Sequence, residues 1–138
     1  MKLMRLGYVF AVAFVLNFAW EHVHAPLYAA YKSGPITEWI LLRATLADAL
    51  IITVLAAAYL FIPFLHKRLY LIVAALAVVA VCIEWWALAT GRWAYGPHMP
   101  LIPLLNVGLT PAVQLAVLGY AAFVICLPSA KSKYLPTL

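Results

Sequence analysis

Charge is what this sequence most lacks. Of its 138 residues only 9% are Asp, Glu, Lys or Arg, and just four are acidic. A soluble domain carries about 25% charged residues, so a water-facing surface cannot be built here. Cysteine is nearly absent as well. Cys82 and Cys126 both lie inside apolar runs with no CxxC spacing, which removes paired zinc and redox chemistry. No HExxH, GxSxG or phosphate-loop pattern occurs. His22 and His24, at i and i+2, point to different helix faces and make a poor metal pair, and no other span carries a histidine to match them across a haem. His24, His98 and Glu21 are the remaining conceivable metal set. No cofactor and no metal is expected.

What the chain has in quantity is apolar residues, 68% of the total, with a mean hydropathy of +1.04. The solvent for such a chain is lipid. Four runs, about 7–28, 39–62, 69–89 and 102–127, are each long enough to cross roughly 30 Å of hydrocarbon at about 1.5 Å per residue. Short connections at Lys32–Pro35 and Pro63–Arg68, with a longer one at Gly91–Pro100, favour sequential neighbours. The expectation is an all-α membrane protein, a single domain over 1–138, with its four helices in an antiparallel up-down-up-down bundle. A cleaved signal peptide is the competing reading of the first run, but Asn17, Trp20, Glu21 and His22 make a poor cleavage region.

The net charge of +5 would suggest nucleic acid in a soluble protein. Here the bases flank apolar spans, so they read as topology signals and headgroup contacts, and no nucleic-acid partner is expected. Lys2, Arg5, Lys67, Arg68, Lys131 and Lys133 fall on one side of a four-span chain. The other side has Lys32 and Arg92, with Arg43 near the start of span two. The positive-inside rule then puts both termini in the cytoplasm. On that assignment all four acids and all five tryptophans lie in the outer half of the bilayer.

The chemistry must sit among those groups. Asn17, Glu21 and His24 share one face of span one, at i, i+4 and i+7. Asp48 lies about 14 Å along its helix from Trp39, near mid-bilayer, where a lipid-facing charge costs at least ~2.5–3.5 kcal/mol. It should therefore face inward. Arg43, about 140° round the helix from Asp48, is expected to reach Glu21 or Glu84 instead. Glu84 follows the apolar run Leu69–Ile83 and sits about 22 Å up its span. Gln114 stands at the depth of Asp48 and can bond it, and Pro111 can kink span four. The Gly91–Pro100 loop has the turns and aromatics to fold back as a cap. The expected catalytic groups are Glu84, Asp48, Glu21 and His24. The expected substrate-binding groups are Asn17, Trp20, Arg43, Trp85, Trp93, Tyr95, His98, Asn106 and Gln114.

The stretch NFAWEHVHAPLY (17–28), Asp48, and EWWALATGRWAYGPHMPLIPLLNVGLTPAVQ (84–114) resemble a widespread group of small, uncharacterised bacterial four-helix membrane proteins. That resemblance implies a multi-pass protein of the bacterial cytoplasmic membrane, and no activity. The second half is also loosely similar to the lycopene-cyclase-type membrane domain, with a tryptophan-containing loop and then a proline. The paired acids of that domain are absent after Pro111, and Gln114 stands near where one would be. The resemblance thus implies an isoprenoid-like ligand.

Three functions are compatible with these features. An enzyme would use a buried carboxyl as general acid on a hydrophobic small molecule, as a lipid isomerase or cyclase does. A transport or ion-binding subunit would use the acids as a polar entrance. A structural or assembly protein would use them to fix helix register. The expected partners are membrane lipid and, in the enzyme reading, a hydrophobic small-molecule substrate; a homo-oligomer stays open, because nearly every face is apolar and lipid-facing surface does not separate from subunit contact.

Overall fold

The computed structural model describes residues 1–127. Lys131 and Lys133 lie outside the described residues. Four helices dominate: α1 (Lys2–His24), α2 (Glu38–Phe61), α3 (Leu69–Ala89) and α4 (Leu109–Cys126). All four are long and apolar enough to cross a membrane. Four short strands lie between them: β1 (Tyr28–Tyr31), β2 (Trp93–Tyr95), β3 (Leu101–Ile102) and β4 (Val107–Gly108). The chain is therefore not purely helical.

Local chemistry sets the helix ends. Ala25 keeps helical backbone (φ −48°, ψ −38°), but Pro26 has no amide to extend the hydrogen-bond ladder, so α1 stops at His24 and passes through one tight turn, Ala25–Leu27, into β1. The first run does not continue as helix to residue 28. Thr37 caps α2, its hydroxyl accepting from the Ile40 amide at 3.4 Å, and Glu38 sits in the first turn. At the end of α3, Gly91 takes the left-handed conformation (φ +63°) and the Arg92 amide turns back onto the Ala87 carbonyl at 2.8 Å.

The start of span four also differs from expectation. Residues 101–108 are apolar but form a β3–β4 hairpin, because Leu104 (φ +71°) and Asn106 (φ +54°) are left-handed. Helix α4 begins at Leu109. Pro111 therefore falls in the first turn, where no amide is needed, and it starts the helix rather than kinking it.

Helix α1 packs chiefly on α2, and α3 chiefly on α4; α1 against α4 joins the two pairs. Helices α2 and α3 touch only sparingly. The core below the polar groups is apolar, with Ile52, Ala56, Tyr59, Leu76, Ala122 and Phe123 buried. Gly119 lets the helices close there: a Cβ would sit 2.5 Å from Leu76 Cδ1 and 3.5 Å from Ile52 Cγ1. At the other end, β1 pairs antiparallel with β2, and the Gly96 amide bonds the Leu27 carbonyl at 2.7 Å. The Gly91–Pro100 loop thus folds back over the helix ends, as its composition suggests.

Candidate functional site

Beneath the β1–β2 ladder lies a cavity of about 330 Å³. Glu21 enters it from α1, Asp48 from α2, Glu84 from α3 and Gln114 from α4. Tyr28, Trp86 and Trp93 add ring faces, and Ala44, Ala47, Ile51, Ala80, Ile83 and Leu115 make apolar walls. No Lys, Arg or His lines it. Between α2 and α3 the wall is incomplete: Ala47 is exposed, and Ala44, Ile51 and Ile83 are only half-buried.

Two hydrogen-bond clusters hold the acids. The first centres on Gln114. Its Nε2 lies 2.9 Å from Asn17 Oδ1, 2.7 Å from Glu21 Oε1 and 2.8 Å from Asp48 Oδ2. Asn17, fully buried, donates its own amide to the Ala13 carbonyl at 2.8 Å, which fixes which atom faces Gln114. A side-chain amide nitrogen has two hydrogens. Three acceptors compete for them, so at least one goes unserved by Gln114 at any moment.

The second cluster centres on Glu84, which is almost fully buried. The Tyr95 hydroxyl donates to Glu84 Oε2, and Trp93 Nε1 donates to the same oxygen at 3.3 Å. Tyr95 in turn accepts the Gly108 amide at 2.8 Å. One phenol therefore ties β2, α3 and β4 together. Burial pushes the Tyr95 phenol above the ordinary tyrosine range, and the hydrogen bond to Glu84 adds to it. Burial likewise raises Tyr28, reinforced by the negative charges of Glu84 and Glu21.

Of the expected site residues, Glu21, Asp48, Glu84, Trp93 and Gln114 line the one cavity, and Asn17 and Tyr95 hold its groups from behind. The others lie elsewhere. His24 is buried, but its Nδ1 bonds the Trp20 carbonyl at 2.8 Å and its ring rests on Tyr28, 5.4 Å between centroids. It supports the Tyr28 wall and is not a partner of Glu21. Trp20 packs against the core, with its Nε1 buried and without a partner. Trp85 points outward and donates to the Leu105 carbonyl at 2.9 Å, anchoring the β3–β4 hairpin. His98 is exposed. Asn106 is exposed and serves the hairpin turn, whose left-handed backbone asparagine tolerates well. Arg43 forms no ion pair with Glu21 or Glu84. It is exposed and lines a neighbouring cavity of about 200 Å³. The ion pair of this region joins His22 Nε2 to Glu38 Oε2 at 2.8 Å.

Two aromatic lining residues, Tyr28 and Trp86, were not expected. Tyr28 reads as an interfacial aromatic until β1 turns it inward. Trp86 is one residue from Trp85, and only its i, i+3 spacing from Ile83 marks it. Among the described residues, no three His, Cys, Asp or Glu side chains come together closely enough to hold a metal ion. His24, His98 and Glu21 do not form such a set.

Comparisons with protein-family models, with curated proteins and with solved structures found no match.

Proposed function

We propose that this chain is a membrane enzyme that moves a proton on a hydrophobic, isoprenoid-like molecule, as an isomerase or cyclase does. One observation carries the reading: three carboxyl groups and no cationic side chain line a single, largely apolar cavity. The cavity is also incomplete between α2 and α3, which suits a ligand arriving sideways from the hydrocarbon. The likeness of the second half to the lycopene-cyclase-type domain points the same way.

The hydrogen bonds divide the labour. Glu84 receives two donors, Tyr95 and Trp93, an arrangement that suits a carboxylate. Glu21 and Asp48 face each other and compete for Gln114. A proton held between them satisfies the acceptor that Gln114 cannot serve. The pair is then the acid and Glu84 the base. The pair's proton adds to one carbon of a substrate double bond, and the two π electrons form the new C–H bond. The resulting carbocation lies among Tyr28, Trp86 and Trp93, whose ring faces favour positive charge. Glu84 removes a proton from an adjacent carbon, and those C–H electrons form the new double bond. Return of the proton from Glu84 to the pair resets the site.

The fuller topology belongs to the same reading. The four helices alternate up and down with both termini cytoplasmic, in a bacterial cytoplasmic membrane, and the cavity lies in the outer half. A reporter fused at the C-terminus should then score as cytoplasmic, and a periplasmic score removes this orientation.

The direct test is mass spectrometry of an organic extract from protein purified gently out of its native membrane. A stoichiometric isoprenoid-like lipid is expected. Glu84→Gln should stay folded, because an amide oxygen still accepts from Tyr95, and should slow conversion of that lipid by about 10²–10⁴-fold. Bulk phospholipid alone, with Glu84→Gln behaving as wild type, would sink the enzyme reading.

A second reading has a specific observation behind it. Asn17, Glu21, Asp48 and Gln114 bond across three helices, as register-fixing polar groups do. A purely structural or assembly role would leave the cavity without a bound small molecule.

A further inference from the structure

The bases on the outer side of the proposed topology are few: Lys32, Arg43 and Arg92. Arg43 lines the cavity of about 200 Å³ together with Tyr31, Ile40, Ala44 and Trp93. Trp93 and Ala44 also line the carboxyl cavity, so the two spaces share these residues as lining. The Lys32 ammonium stands 5.8 Å from the centre of the Tyr31 ring, on the wall of the Arg43 space. The Arg92 guanidinium lies 4.2 Å from the centre of the Trp86 ring but does not itself line the carboxyl cavity. No carboxylate of the described residues lies within salt-bridge distance of Arg43, and the nearby surface acid, Glu38, is engaged by His22. A guanidinium at a membrane boundary, lining a cavity and lacking a carboxylate, is built to take a planar or tetrahedral oxyanion.

We infer that the ligand is an anionic amphipath, whose phosphate or carboxylate head sits in the Arg43 cavity while its apolar chain passes Trp93 into the carboxyl cavity. The inference rests on the isoprenoid-like reading above and deepens it. Charge separation supports it. The anion meets Arg43, with Lys32 close by, and the carboxyls of Glu21, Asp48 and Glu84 meet only the apolar part. A head placed among those three acids would be repelled, so the ligand binds in one direction. That direction sets which double bond faces the acid pair.

The test uses the full chain in phosphatidylcholine nanodiscs, with tryptophan fluorescence as the readout, since Trp93 lines both spaces. Farnesyl phosphate, farnesol and inorganic phosphate are the probes. Farnesyl phosphate should bind about tenfold more tightly than farnesol, the worth of one charge-assisted contact. Inorganic phosphate alone should bind far more weakly than either. Arg43→Gln should bring the two amphipaths to nearly equal affinity without weakening farnesol, and Arg43→Lys should keep part of the preference. Equal binding of the two amphipaths by wild type, a preference that survives Arg43→Gln, or inorganic phosphate binding as tightly as farnesyl phosphate would each overturn the head-group site while leaving the lipid reading intact. Binding of neither amphipath would overturn both.

Discussion

Gln114 on α4 places its side-chain nitrogen 2.8 Å from Asp48 Oδ2 on α2, although these two helices have little other contact. The bond runs between two residues of the cavity lining and links one helix pair to the other. Its loss should be felt in the whole bundle. Gln114→Leu leaves Asn17 Oδ1 without its Gln114 donor and two acids facing each other without the shared amide. Thermal unfolding in detergent should register a loss of about 1–3 kcal/mol. A variant as stable as wild type would mean that the acids find other donors.

The two raised phenols predict an alkaline transition. An ordinary tyrosine titrates near 10.0, and Tyr28 and Tyr95 lie above it in the folded chain. Between the unfolded and folded values the unfolded chain has lost protons that the folded chain keeps. Stability is therefore fully present below about pH 10 and falls as the pH rises toward the folded values. Tyr95→Phe should flatten that fall. Phenolate absorbance followed with pH, beside unfolding temperature, checks it, and two tyrosines titrating with the exposed ones would refute it.

Thr45 gives a prediction of opposite sign. It is fully buried, and its hydroxyl is one of two buried side-chain polar atoms among the described residues without a hydrogen-bond partner. Thr45→Val keeps the shape and removes the orphan. Stability should rise by about 1 kcal/mol, measured by the same unfolding assay. A destabilised variant would reveal a partner for the hydroxyl.

The spans and the acids were legible in the sequence; the facing of most aromatics was not. Asp48 and Glu84 had to point inward because hydrocarbon repels charge, and Gln114 could be matched to Asp48 by depth alone. Trp85 and Trp86 could not be told apart. In water an amphipathic stripe separates inside from outside, but here lipid is as apolar as the core. Arg43 misled for a related reason: long bases can reach out of the membrane, so its position on the helix does not demand an internal acid. The residues before α4 misled because Ile102, Leu104 and Leu105 are apolar enough to continue a span. The left-handed backbone at Leu104 and Asn106 breaks that run, and Pro103 beside it was the visible warning.

The pairing of α1 with α2 and of α3 with α4 also orders the protein's birth. Chains emerge N-terminus first, so α1 and α2 come out ahead of α3 and α4. Glu21 and Asp48 are then neighbours in the bilayer with no amide between them. The nascent half-protein carries two buried acids until the last helix arrives and Gln114 closes over them. A chain stalled before α4 should be the species that quality-control proteases recognise.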